Sequence, residues 1–369
     1  MSARRGSLTG MRPALRLGLL PLWRDRDTVQ IGIDPRRAVA ITGMSTAFEV
    51  IMLLDGSRQR EQILAEASAR GVPEAVCERV LTLLAAAGIL IDFPAGPLRS
   101  IQPELRHQLL PLLATASLCA QDGDGGARLL ARREATAVEV RGCGPVAATL
   151  TDLLAQSGLT LAGVRDSGSR RMVSPDLIVL VGHQSPSQTA DLLSVQIPHL
   201  AVCAEEAIGV VGPLVLPGRT ACLRCLDLAR TDGDPAWPLI LAQRAQRSAD
   251  PPACDAVLAT SVAAQAAAQV LAFADRSAAG RLIIDGFDAG LQAGRHDPNR
   301  HDPARLDAAS LAAGRQDTAP ATANATLELV LPSWQWRRRT WLPHPACACG
   351  GRSSYTGSGK GRFERPSAA

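Results

Sequence analysis

Two close pairs of cysteines carry the clearest chemistry in this sequence: Cys222 and Cys225 in "TACLRC", and Cys347 and Cys349 in "HPACACG" far downstream. Two thiolates with two residues between them can grip one ion through a knuckle turn. Two such pairs from distant segments supply the tetrahedral set that a structural Zn2+ needs. The spacing of the second pair is tighter, and with His344 close by it leaves the identity of the fourth ligand open. A thioredoxin-type redox pair is the competing chemistry, but such a pair opens a helix after the first strand of its own small fold, which this region is not. Chance burial is the remaining account. Cys77, Cys119, Cys143, Cys203 and Cys254 are scattered through apolar runs and loops and read as inert thiols. Of these, Cys254 alone has the loop setting of a transthiolation nucleophile.

A glycine turn is the second candidate site. "VRGCGPVA" puts Gly142, Gly144 and Ala147 in a Gly-x-Gly-x-x-Ala pattern, directly after a β-prone run and at the start of a helical one. Glycines there permit a tight turn and let a phosphate approach the N–H groups of a helix N-terminus. Asp166 closes the next strand, where a carboxylate could accept from ribose hydroxyls. The context predicts Rossmann-like topology. Nucleotide binding is a separate matter, because a degenerate scaffold would keep the turn for packing alone.

Both sites lie in a stretch whose texture is alternating strand and helix. From residue 136 the order strand, turn, helix, strand describes the first half of a doubly wound α/β unit. "DLIVLVG" and "HLAVCA" are continuous apolar runs of the kind that parallel strands buried on both faces display. A long Ala-rich helix is expected over 255–274, and "RLIIDGF" reads as a further strand. A polar loop follows over 293–320, and "ATLELVLPSWQWRRRTW" alternates like antiparallel edge strands. The tail, 351–369, is Gly/Ser/Arg-rich and expected to be disordered.

Residues 1–95 have another texture. "LLPLWR", "TVQIGI" and "RAVAITG" are short β-prone runs, followed by "TAFEVIMLL", a helix over 58–69, and a third helix opened by Pro73 and ended by Gly88. "ILIDF" closes the unit as a strand. This order predicts a winged helix-turn-helix. A DNA-reading third helix presents several basic or amide side chains, whereas here it offers Arg79 beside Glu74 and Glu78. "RAVAITG" is better suited to adding an extended peptide by main-chain hydrogen bonds, and a purely structural module is the plainer alternative. Residues 96–135 read as a linker with one helix over 103–119.

Composition narrows the classes. The chain has 369 residues, enough for two domains. With 46% hydrophobic residues it is not globally disordered, and with 3% aromatics its cores rest on aliphatic side chains. A net charge of +4 does not argue for nucleic acid. The one lysine is Lys360, so chemistry needing a buried lysine is closed. "LRLGLLPLW" is interrupted by Pro21 and is not read as a signal peptide; no apolar run of membrane-spanning length is expected. Nine irregularly spaced cysteines suit reduced thiols or metal ligands and a cytoplasmic setting.

"VGPLVLPGRTACLRC", "WPLILAQ" and "HPACACG" resemble the ThiF-type (ubiquitin-activating-enzyme-like) partner proteins of thiazole/oxazole-modified microcin biosynthesis, the bacteriocin cyclodehydratase group. "LLDGSRQREQILAEA…LLAAAGILID" is similar to the peptide-recognition element fused to many of them. The resemblance covers roughly residues 10–350. It implies a Rossmann-like ThiF-type domain over 136–350, with Cys222, Cys225, Cys347 and Cys349 as zinc ligands. It also implies a leader-peptide site along Arg37, Val39 and Ile41 and against Val76, Arg79, Val80 and Leu83. Adenylating relatives carry a second carboxylate after the turn and a lysine near the phosphates. Here Asp166 is followed by "SGSRRMVSPD", so ATP and Mg2+ lack their clamp.

The expected function is therefore a leader-peptide-binding scaffold without catalytic residues of its own. It would present a precursor peptide to a YcaO-type cyclodehydratase acting in trans, with no nucleic-acid or membrane partner and a homodimer left open. The enzyme alternative is an ATP-dependent adenylyltransferase; a nicotinamide-dependent oxidoreductase rests on the glycine turn and Asp166 alone.

Overall fold

The computed structural model describes residues 11–42, 46–93, 102, 104, 107, 109–120, 123–163, 174–246, 252–278, 281–282 and 320–351. Asp166, Lys360, most of the polar loop expected over 293–320 and nearly all of the expected tail lie outside them. The chain separates into two compact units, Met1–Ala135 with Ser277–Thr318, and Thr136–Arg276 with Ala319–Ala369.

In the first unit, β1 (Pro13–Leu15) pairs antiparallel with β5 (Leu90–Asp92). Between them β2 (Pro21–Trp23), β3 (Thr28–Ile31) and β4 (Val39–Thr42) form an antiparallel sheet in that order. Helices α1 (Ala47–Ile51), α2 (Arg60–Ala69) and α3 (Glu74–Ala86) follow. The start of α2 is fixed by the Gln62 side chain, which accepts from the Gln59 N–H at 2.8 Å. Val29, Ile31, Val50, Ile63, Val80 and Leu84 meet in its core. Two further helices complete the unit where the sequence reading had one: α4 (Leu110–Cys119) and α5 (Ala127–Ala135). Just before the missed α5 stands Asp124, whose carboxylate accepts from the N–H groups of Gly126 (3.0 Å) and Arg128 (3.1 Å). Leu113 of α4 packs with Ala14, Ile91 and Phe93.

The second unit is built on a seven-stranded mixed sheet. Its strands are β6 (Ala137–Arg141), β7 (Thr160–Leu161), β8 (Leu177–Val181), β9 (His199–Glu205), β10 (Ile208–Val215), β13 (Ala325–Val330) and β14 (Gln335–Thr340). A two-residue ladder, Ser277–Ala278 with Arg281–Leu282, supplies β11 and β12 and belongs to the first unit; the rest of the expected "RLIIDGF" strand lies outside the described residues. The sheet order is β14-β13-β10-β9-β8-β6-β7. The four strands β7, β6, β8 and β9 are parallel, and β10, β13 and β14 are antiparallel. Every residue of β8 is buried, as its unbroken apolar run requires. The helices are α6 (Pro145–Gln156), α7 (Pro186–Ser194), α8 (Leu223–Gly233), α9 (Trp237–Gln246) and α10 (Ala256–Ala274).

The last helix corrects one expectation. Its 19 residues carry no charge, and by length and composition it could cross a membrane. Half of it is buried within the fold, and its small residues explain how. A Cβ on Gly209 of β10 would lie 2.3 Å from a Val262 methyl, so glycine is what lets α10 lie against the sheet.

Candidate functional site

The four cysteines meet. Cys222 is the N-cap of α8 and Cys225 lies in its first turn, so both thiols sit where helix N–H groups lack partners. Cys347 and Cys349 arrive on a turn closed by a bond from the Cys347 N–H to the His344 carbonyl at 2.9 Å. The Sγ separations are 3.7 Å for Cys222–Cys225, 3.6 Å for Cys222–Cys347 and 3.5 Å for Cys225–Cys349. All four sulfurs lie within 4.8 Å of one another. Sulfurs bound about 2.3 Å from one zinc lie about 3.8 Å apart at tetrahedral angles, so the set fits that ion in ligand number, type and spacing. Cys222 and Cys225 are buried, the other two partly so.

Electrostatics favour a cation here. The hydrogen bond from Cys222 holds the Cys225 thiol down at about 4. That shared bond, with burial, pushes the Cys222 thiol up, and burial raises Cys347 to about 11. A divalent metal binds thiolates, so its uptake here would release the protons that the sulfurs carry. The surroundings hold the backbone in place. Asn324 Oδ1 accepts from the Ala221 N–H at 2.7 Å, and its own carbonyl accepts from Trp341 N–H at 2.8 Å. The Arg230 guanidinium of α8 lies between the rings of Trp237 (5.1 Å) and Trp341 (5.3 Å). The ambiguity over His344 is resolved by its two nitrogens: Nδ1 accepts from Ala346 N–H at 3.1 Å and Nε2 lies 2.9 Å from Asp232 Oδ2. Cys349 is the fourth sulfur.

The glycine turn joins β6 to α6 as expected. Gly142 has φ +134, and a Cβ there would lie 2.4 Å from the Val181 carbonyl oxygen. Packing against β8 is sufficient reason for that glycine. Gly144, the N-cap of α6, has φ +88 with open space around it. On one side the turn borders a cavity of about 350 Å³ lined by Gly142, Cys143, Gly144, Ala147, Thr151 and Asp152. On the other is a crevice of about 260 Å³ at the carboxyl ends of β6 and β8, reached by Arg141, His183, Gln184 and Gln188. The chain turns from β7 across β6 to β8 here, the usual ligand position in an open α/β sheet. A group unseen in the sequence flanks it: Arg244 of α9 contacts His183 Nδ1 and Glu205 and lies 3.7 Å from Cys203 Sγ. Burial and the charge of Arg244 lower the His183 pKa, while burial pushes Cys203 up to about 11. These residues are far apart in sequence and share no motif.

In the first unit the hydrogen-bond register decides which groups of β4 are free. Gly32 N–H donates to Leu20 O (2.8 Å) and Arg24 N–H to Thr28 O (2.9 Å), so Thr28, Gln30 and Gly32 face β2. Val29 and Ile31 then face β4, bonding Ile41 and Val39. The N–H and C=O groups of Ala40 and Thr42 are left on the outer edge, where no described strand pairs with them. On the opposite edge the outward positions of β2 are Pro21, which has no N–H, and Trp23. The sequence-predicted residues divide accordingly. Ile41 (5% exposed) and Val80 (0%) belong to the core, and Val39 and Val76 pack against it half-buried. Arg79 and Leu83 are exposed on α3, and Arg37 donates to the Leu118 carbonyl at 2.7 Å. The open edge is main chain, which a list of side chains does not reveal.

No protein-family model matches this sequence, and no curated protein matches it. Solved structures do. The heterocyclase TruD superposes with a TM-score of 0.56 at 16% identity, over 92% of this chain and 42% of TruD. A heterocyclase in complex with substrate and cofactor gives 0.59 at 16% identity, over 92% and 39%. Escherichia coli MccB with ATP gives 0.53 at 13% identity, over 92% and 99%; MccB is a microcin C7 biosynthetic enzyme. The chain thus spans about two-fifths of the heterocyclases and the whole of MccB, and has their fold.

Proposed function

We propose that this chain is a non-catalytic scaffold that captures the leader of a ribosomally made precursor peptide on β4 and presents it to a separate YcaO-type cyclodehydratase for azoline or azole formation. In this reading residues 1–95 are a winged-helix peptide-recognition domain, 96–135 connect it, and 136–350 are a ThiF-like body stapled by Zn2+ on Cys222, Cys225, Cys347 and Cys349. The protein works in the cytoplasm.

The observation that carries the reading is the open edge of β4. Ala40 and Thr42 each offer a donor and an acceptor to an added strand, and each bond contributes about 0.5–1.5 kcal/mol net. Main-chain pairing of this kind accepts many sequences; Val76, Arg79 and Leu83 of α3 supply side-chain selection. The likeness to heterocyclases supports the pathway. The expected result with a fluorescein-labelled leader peptide encoded beside this gene is saturable anisotropy, weakened about 2–10-fold by Ala40→Pro. Binding unchanged in that variant would remove β4 from the site.

A second reading is an ATP-dependent adenylyltransferase acting on a peptide carboxylate. It is favoured by the full-length match to MccB, solved with ATP, and by the crevice beside Gly142, Gly144 and Ala147. Against it, Arg244 is already neutralised by Glu205, and no lysine other than Lys360 exists. ATP-dependent pyrophosphate exchange would decide for the enzyme.

A further inference from the structure

We propose that His344 is a positioning residue of the four-cysteine centre: through Asp232 it fixes the Cys347–Cys349 turn, without being a ligand. This rests on the reading that the cysteines hold a metal.

Residue 344 sets the ligand turn twice. Its carbonyl accepts from the Cys347 N–H at 2.9 Å, and its ring Nδ1 accepts from the Ala346 N–H at 3.1 Å. With Nδ1 an acceptor, the ring proton is on Nε2, which donates to Asp232 Oδ2 at 2.9 Å. No lone pair remains for a metal. The His344 side chain is 13% exposed, so the imidazole is held by its surroundings, while Asp232 is largely in solvent.

The placement of Asp232 gives the bond its consequence. It lies in the last turn of α8, whose first turn carries Cys225 and whose N-cap is Cys222. An eleven-residue helix is about 16 Å long. The segment 341–349 therefore grips α8 at both ends, by sulfur at one and by His344 with Asp232 at the other. Arg230, between the rings of Trp341 and Trp237, adds a third attachment near the second point. A metal leaving the sulfurs would leave behind a turn still held beside Cys222 and Cys225, ready to close again. Without the imidazole, Ala346 N–H and Asp232 lose their partner, and the turn that carries Cys347 and Cys349 keeps only its main-chain bond at residue 344 and the more distant Arg230–Trp341 contact.

Partners of this kind, which hold ligands without touching the metal, typically govern about 10–100-fold in metal retention. The test is transfer of Zn2+ from the purified full chain to 4-(2-pyridylazo)resorcinol, followed by absorbance. Release is expected to be about 10–100-fold faster in His344→Ala and in Asp232→Ala. Asp232→Asn, whose amide oxygen still accepts from Nε2–H, is expected to stay close to wild type. The Co2+-loaded protein gives the second readout: wild type and His344→Ala should share the sulfur-to-cobalt charge-transfer intensity and ligand-field bands of a four-thiolate site. Wild-type release rates in both alanine variants would overturn the assignment while leaving the metal reading intact. A changed cobalt spectrum in His344→Ala would make the histidine a ligand and overturn it differently. A wild-type chain that takes up neither ion would remove the metal reading and this assignment together.

Discussion

Ala40 and Ile41 are neighbours on β4, and proline at either position should have opposite consequences. At Ile41 it deletes an N–H that bonds to β3, leaving the Val29 carbonyl without its partner at a cost of about 1–3 kcal/mol. It also replaces a side chain that is 5% exposed in the core, adding about 2–4 kcal/mol. The sum, about 3–7 kcal/mol, is a large share of the 5–15 kcal/mol that typically separates folded from unfolded states. At Ala40 the deleted N–H points outward, the side chain is exposed, and an edge strand tolerates proline there. The expected cost is below about 1 kcal/mol. Urea unfolding of the two variants measures the difference directly. Amide hydrogen exchange in the unsubstituted protein gives an independent check: Ala40 and Thr42 should exchange fast, Val39 and Ile41 slowly. Equal destabilisation by the two prolines, or protection of Ala40 and Thr42, would refute the register and with it the proposed peptide edge.

Two other outcomes follow from buried groups. His199 is fully buried with Nδ1 bonded to the Ile197 carbonyl and Nε2 without a partner among the described residues, and burial lowers its pKa. The fold thus favours the neutral ring. Its stability contribution is intact above the unfolded-state value of about 6.5 and is lost as pH falls below it. Thermal midpoints of wild type should drop more between pH 7.5 and 5.0 than those of His199→Gln; equal drops would exclude this histidine. At the glycine turn, Gly142→Ala forces a Cβ to within 2.4 Å of the Val181 carbonyl, whereas Gly144→Ala meets open space and pays only for its positive φ. Denaturation should find the first costlier by about 1–3 kcal/mol; similar losses would argue against packing as the reason for Gly142.

The cysteine motifs were legible because a metal knuckle is local: two thiols on one turn advertise themselves by spacing. Their mutual contact, and the exclusion of His344, needed the β13–β14 hairpin to return the chain to α8. The parallel strands were legible from unbroken apolar runs, since burial on both faces leaves no alternation. α5 was missed because its cap, Asp124, is embedded in a glycine-rich stretch that reads as loop. α10 was expected as an Ala-rich helix but not counted as an apolar run of membrane-spanning length, and composition alone cannot tell such a helix from one buried against a sheet. The free groups of β4 could not be seen at all, because which amides face outward depends on the pairing of β3 with β2. Arg244, His183 and Glu205 come from three elements and converge by topology.

Pro21 has a further effect. With no N–H at that position, Trp23 is the one outward-facing donor of β2, against Ala40 and Thr42 on β4. A strand added to β2 would therefore gain fewer main-chain bonds than one added to β4, which disfavours growth of the sheet through both edges at once. That bias comes from a ring on the edge that a strand added to β4 would never touch.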